Sequence, residues 1–157
     1  MKNRLKYRKA VFIVVYATMK RGIRYLILKR KLHWVGWEFP KGALQSRETE
    51  KMAVKRELKE ETGLPPLKIT KFNFHGRYDY PKILPDRPNY KGQTFSLYSV
   101  KVRIGRVILD RREHSSYKWV PYKIAIKMLK WKNQKDSLRI VNNFLRNDEI
   151  RQKENKV

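Results

Sequence analysis

One segment of 23 residues, Gly42 to Leu64 (GALQSRETEKMAVKRELKEETGL), limits what this chain can become more than any other. Thr49 to Thr62 reads as a helix. Thr49 is a candidate N-cap. Gly63 suits the C-terminus, and Pro65-Pro66 prevents continuation. On such a helix Glu57, Glu60 and Glu61 fall at i, i+3 and i+4, on one face. At about 3.6 residues per turn, Ala53, Val54 and Leu58 lie on the same side. Lys51, Lys55 and Lys59 form the opposite stripe. The three carboxylates therefore border the stripe that must meet the core. Crowded carboxylates repel one another, and their pKa values rise unless a cation neutralises them. A hard divalent cation, Mg²⁺ or Mn²⁺, is the expected partner. The competing reading is a solvated helix whose Glu and Lys pair with each other. The segregation of Lys from Glu argues against it.

Charge is the second constraint. The 157 residues carry 39 Lys and Arg against 14 Asp and Glu, a net of +25. Six of those 14 acids lie between Glu38 and Glu61. This predicts a basic surface with one acidic focus. A basic field captures polyanions, so nucleic acid or a highly charged phosphate is the expected partner. A thermophile's ion-pair surface would need matching Glu, which is scarce. The length suits one domain, taken as 1–150, with 151–157 as a frayed, charged tail. The sequence has no cysteine, so it has no disulfide framework and no thiolate site. No apolar run reaches membrane-spanning length, and no membrane partner is expected. The basic-then-apolar start is not read as a signal peptide, because Ala10–Ala17 is rich in β-branched residues. A cytoplasmic location is the expectation.

Ala10–Ala17 reads as a buried strand. Lys20-Arg21-Gly22 turns it into a hairpin partner at Tyr25–Lys29. Trp34–Phe39 is a short aromatic edge, and Pro40-Lys41-Gly42 opens a loop. Leu67–Tyr80 and Thr94–Val102 are strands around a proline-rich loop, Pro81–Lys91. Ser116–Val120 is a further strand. Pro121 suits the first turn of a helix bearing Ile124, Ala125, Met128 and Leu129. Leu138, Val141, Phe144 and Leu145 mark another amphipathic helix. Strands on both sides of one helix, closed by C-terminal helices, give a mixed α/β sandwich. His33, His75 and His114 show no zinc spacing, and no P-loop or dinucleotide motif is present.

The segment also resembles the signature of the Nudix hydrolases. Gly42, Glu48, Arg56, Glu57, Leu58, Glu60, Glu61, Gly63 and Leu64 fill all nine of its fixed positions. The resemblance implies an α/β/α sandwich with a mixed sheet between helices. It also implies metal-dependent hydrolysis of a nucleoside diphosphate linked to another group. Glu57, Glu60 and Glu61 then match the metal-binding carboxylates, and Glu57 also matches a candidate base. Arg56 matches the arginine that orients Glu57. Glu48 takes a structural salt-bridge position, and the Lys41 carbonyl a further ligand position. Glu113, before Tyr117-Lys118-Trp119, matches a distant catalytic and metal-binding glutamate. Arg47 stands where many members carry a turn glycine, which puts the loop's geometry in question.

Trp37-Glu38-Phe39-Pro40-Lys41-Gly42 resembles the segment before this signature in dinucleoside tetraphosphatases and RNA 5′-pyrophosphohydrolases. Tyr80, sixteen residues past Leu64, fits the tetraphosphatase subgroup. On this reading Lys41, Lys91 and Arg87 meet the phosphates, while Tyr78, Tyr80 and Tyr117 stack on a base. Cleavage of diadenosine tetraphosphate to ATP and AMP is the leading expectation. Removal of pyrophosphate from RNA 5′ ends is the alternative, favoured by the charge. A non-catalytic RNA- or ribosome-binding module on the same fold is a third; intact Glu57, Glu60 and Glu61 argue against it.

Overall fold

The computed structural model describes residues 4–156. Its centre is β1 (Lys6–Met19), whose residues Ala10–Ala17 are all buried. Alternate side chains of a strand point to opposite faces. Ala10, Phe12, Val14 and Tyr16 therefore enter one core, and Val11, Ile13 and Val15 the other. A strand buried on both faces needs cover on both, and the chain supplies it as two helical layers.

The other strands are β2 (Gly22–Arg30), β3 (Gly36–Glu38), β4 (Lys41–Ala43), β5 (Lys68–Asp79), β6 (Tyr90–Lys101) and β7 (His114–Val120). They make one mixed sheet in the order β3-β2-β1-β6-β5, with β7 on β2 and β4 on β1. Only the β1–β6 pairing among these is parallel. Helix α1 (Glu50–Thr62) packs on the Val11 side. Helices α2 (Tyr122–Met128) and α3 (Lys132–Glu154) close the Phe12 side. The expected α/β/α sandwich is the architecture found.

One topological detail positions the site. Along one edge β1 pairs with β4 through Ala10–Phe12 and with β2 through Tyr16–Met19. Between them the chain crosses β1 at Pro40, whose carbonyl accepts from Ile13 N at 2.9 Å. Lys41-Gly42 is thus strand β4, not the expected loop. The crossing delivers Glu38 and Lys41 to the split in the sheet, beside the C-terminal half of α1.

Four further boundaries differ. β1 begins four residues before Ala10, at Lys6, and β6 begins at Tyr90; both take their extra length from mutual parallel pairing. Pro121 is the N-cap of α2 rather than part of its first turn. The chain past Arg151 is helical to Glu154, not frayed, although its side chains are exposed. No helix among the described residues is long and apolar enough to cross a membrane.

Candidate active site

Helix α1 is built as its sequence requires. The Thr49 side chain accepts from Met52 N at 3.2 Å, and Gly63 ends the helix in the left-handed region at φ 70°. Ala53, Val54 and Leu58 are buried, and Lys51, Lys55 and Lys59 face water. Of the three carboxylates only Glu57 and Glu61 are buried. The Glu60 side chain is 52% exposed, so it flanks the buried pair rather than joining it. The reason is angular: at i+3 from Glu57 it rotates toward the Lys59 side.

Arg56 ties this helix to the loop before it. Its Nε and NH2 grip the two Glu48 carboxylate oxygens at 2.7 and 2.8 Å. NH1 donates to Glu57 Oε1 at 2.6 Å and Glu60 Oε2 at 3.2 Å, and NH2 also reaches the Ala43 carbonyl at 2.9 Å. One planar fork thus fixes the loop and aims Glu57. Gly42 has its own reason: a Cβ there would run into the Glu57 carboxylate. Arg47 adopts φ 63° despite its side chain, so the turn keeps a glycine-like geometry at a cost in backbone strain.

Glu57 and Glu61 converge with residues far away in sequence. Glu61 Oε2 accepts from the Lys41 backbone N at 3.2 Å. Ligand atoms of Glu61, Glu113 and His114 lie within 4.8 Å of one another. Burial pushes the Glu57 carboxyl up to about 7, against the pull of Arg56. Burial pushes Glu61 far above the carboxylate range too, and the charges of Glu57, Glu38 and Glu113 push it further. Buried acids of like charge fit a missing positive charge. So does the buried His114 Nδ1, which has no hydrogen-bond partner. Glu61, Glu113 and His114 could hold a divalent cation, with Glu57 beside them on the cavity wall and Glu60 on the outer side.

Behind this cluster is a largely buried ionic knot, with Glu38 and His114 fully enclosed, that the sequence did not reveal as such. Glu38 accepts from Arg30 at 3.0 Å, pairs with His114 Nε2 at 2.9 Å and faces Lys41 Nζ at 3.4 Å. Burial alone would raise the Glu38 pKa. Lys41, His114 and Arg30 together outweigh it and hold the carboxyl down at about 2. Burial likewise pushes Lys41 down, and Glu38 reverses the effect, so the ammonium stays charged. Lys41 is also enclosed by the rings of Phe12, Trp34 and Tyr78, each 5.7–5.9 Å away.

A cavity of about 640 Å³ opens onto these groups. Glu57, Glu113, Lys41, Gly42, Tyr78, Tyr80 and Arg87 line it. Lys91 and Tyr117 do not. Lys91 lies over the Tyr7 ring at 4.9 Å, and Tyr117 packs into the α1-side core. Tyr80 is held in place rather than free: its hydroxyl donates to Gln93 at 2.8 Å. The lining also includes Arg8, Arg30, Trp34, Lys82, Lys130, Trp131 and Lys132. Trp34 and Trp131 meet edge to face at 5.4 Å. No motif marks these residues. They meet because β1, the end of β2, the approach to β3, the loop after β5 and the α2–α3 junction all border the same opening.

Fold and site together suit hydrolysis of a phosphate compound: an acidic cluster opens into a cavity rimmed by Arg and Lys. Residues 6–144 match the NUDIX domain. A protein named RNA pyrophosphohydrolase from a Nitratiruptor species is 34% identical over 124 residues, covering 75% of this chain and 80% of its own. Another of that name, from Zymomonas mobilis, is 29% identical over 129 residues, covering 75% and 81%. Among solved structures, the C. elegans Ap4A hydrolase in a binary complex superimposes with a TM-score of 0.72 at 26% identity, covering 89% of this chain and 98% of that one. The chain belongs to the Nudix hydrolase family. Within that family it is a pyrophosphohydrolase.

Proposed function

We propose that the substrate is RNA bearing a 5′-triphosphate, from which the enzyme releases pyrophosphate. This reverses the order expected from sequence, where diadenosine tetraphosphate led. The carrying observation is the character of the cavity lining. Arg8, Lys82, Arg87, Lys130 and Lys132 stand around a buried carboxylate cluster, on a molecule of net charge +25. The names of the relatives at 29–34% identity support the same reading.

The division of labour follows from the site. Glu61, Glu113 and His114, with Glu57 alongside, would hold a divalent cation. Such an ion polarises phosphate oxygens and lowers the pKa of a bound water. Arg56 keeps Glu57 in position, and Glu57 is suited to take a proton from the attacking water. Arg8, Arg87 and Lys130 neutralise the phosphate chain. Trp34, Trp131 and Tyr78 offer ring faces to the first bases. Lys41 positions the cluster from behind, because its charge is committed to Glu38.

Cleavage of diadenosine tetraphosphate is the second reading. The edge-to-face pair of Tyr78 and Tyr80, with centroids 6.2 Å apart, favours it by providing an aromatic wall for a nucleoside. A substrate panel with Mg²⁺ separates the two. Triphosphorylated RNA, diadenosine tetraphosphate, ADP-ribose and oxidised nucleotides would be compared by kcat/KM, with products resolved by chromatography. The RNA is expected to lead. A tetraphosphate preferred by tenfold or more would reverse the assignment.

A further inference from the structure

The α1 face of the sheet is covered only in part. α1 begins at Glu50, and beyond it the same face continues as open cross-strand rows. Lys9 of β1 stands beside Thr94 of β6, which faces Arg77 of β5; next to the buried Val11, where the core ends, Ser96 faces the exposed His75. One row further out, Tyr7 stands beside Gly92, which faces Asp79. Side chains two apart share a face, so Tyr7 and Lys9 lie on the side that Val11 enters. Lys9, Thr94, Arg77, Ser96 and His75, bounded by Leu44 and Glu50, line a groove of about 630 Å³, and the Tyr7 row lies just outside it.

Its chemistry is one-sided. Lys9, Arg77 and Lys91 make no ion pair among the described residues. Both local acids are engaged: Asp79 accepts from the Tyr7 hydroxyl at 2.6 Å, and Glu50 pairs with Lys71 at 2.9 Å. The Arg77 guanidinium and the Lys91 ammonium each lie 4.9 Å from the Tyr7 ring centroid. His75 is exposed, with Nδ1 at 3.2 Å from the Ser96 hydroxyl. Nothing in the reaction described above uses any of these groups.

We propose that this open sheet face binds the body of a single-stranded RNA, downstream of its 5′ end. Unpaired cations would take the phosphates, while imidazole and guanidinium planes and the hydroxyls would take the bases. Three strands by about four residues span roughly 10 by 13 Å, which suits two or three nucleotides. The face joins the catalytic cavity at the strand ends. Tyr7 and Arg8 are consecutive and point to opposite sides, Arg8 into the cavity, and Asp79 borders both regions. That continuity rests on the RNA reading above; the binding face itself does not.

The test uses a fluorescent single-stranded RNA of about 12 nucleotides with a 5′-hydroxyl, which offers the cavity no triphosphate. Anisotropy is read over a salt series at fixed Mg²⁺. The variant Lys9→Gln/Arg77→Gln is compared with Arg146→Gln/Arg151→Gln, which removes the same charge from exposed positions on α3. Two lost phosphate contacts should lower the salt slope by about 1.4 and weaken binding by roughly tenfold. The α3 variant should stay within about twofold of wild type. Turnover of diadenosine tetraphosphate should be unchanged in both. Lys9→Gln alone gives half the slope change and serves if the double variant melts early. Equal losses in the two double variants, or none in the first, would show a diffuse field and overturn the proposal. RNA bound on this face by a protein that releases no pyrophosphate from triphosphorylated RNA would sink the function proposed above and leave the face standing.

Discussion

Arg56 is the residue on which the site's geometry turns. It alone joins Glu48, Glu57, Glu60 and the Ala43 carbonyl. Lysine keeps the charge but has no planar fork, so it cannot hold Glu48 with two donors while aiming Glu57. Arg56→Lys should therefore lower kcat by roughly 10–100-fold, the usual cost of losing a group that orients a metal ligand. Mg²⁺ affinity should fall with it. Steady-state kinetics over a Mg²⁺ titration checks this, and unchanged kinetics would relegate Arg56 to a surface ion pair. Gly42 makes a related point. Its place in the signature was legible, but its cause was not. Only the structure shows that the Glu57 carboxylate fills the space a Cβ would need.

At the scale of the element, α1 carries like charges into a core. Glu57 and Glu61 have pKa values raised by burial, so the metal-free native state holds protons that the unfolded chain has released. Stability then falls as pH rises from the ordinary carboxylate value of 4.5 toward about 7, the value for Glu57. Glu38 has the opposite sign, being held at about 2, and its contribution is lost only below 4.5. It is ionised in both states across the window that matters. In chelator the melting temperature should be lower at about pH 7.5 than at about pH 5, and Mg²⁺ should restore it at the higher pH. Differential scanning calorimetry reads both. A metal-free melt equal at the two pH values would mean that Glu57 and Glu61 are not strained by burial. Much of α1 was legible in advance, because caps, stripe and carboxylate spacing are local. β4 was not: its three residues carry no strand pattern and are strand only because β1 offers them partners. The Glu38–His114 contact was equally invisible, since it joins residues 76 apart.

At the scale of the molecule, charge divides the surface from the site. A dinucleoside tetraphosphate reaches only the groups lining the cavity. Triphosphorylated RNA, the proposed substrate, would extend beyond it and displace more counterions, at about 0.7 per neutralised phosphate. Binding to a catalytically silenced variant should weaken more steeply with salt for the RNA than for the dinucleotide. Equal slopes would mean that the surface charge does not serve substrate binding. Composition gives the excess of cations, +25, but not where they stand. Lys91, expected in the cavity, lies on the other face, and Lys130 and Lys132 reach it through the α2–α3 junction. The buried carboxylates are assigned above to a metal-dependent hydrolytic centre. That assignment is tested most directly by pyrophosphate release from triphosphorylated RNA, with Mg²⁺, by wild type and Glu61→Gln, alongside thermal melting of each. Glu61→Gln keeps the shape and removes the charge, so turnover should fall by about 10²-fold or more with the fold intact. Wild-type turnover in Glu61→Gln would remove Glu61 from the centre and contradict the account.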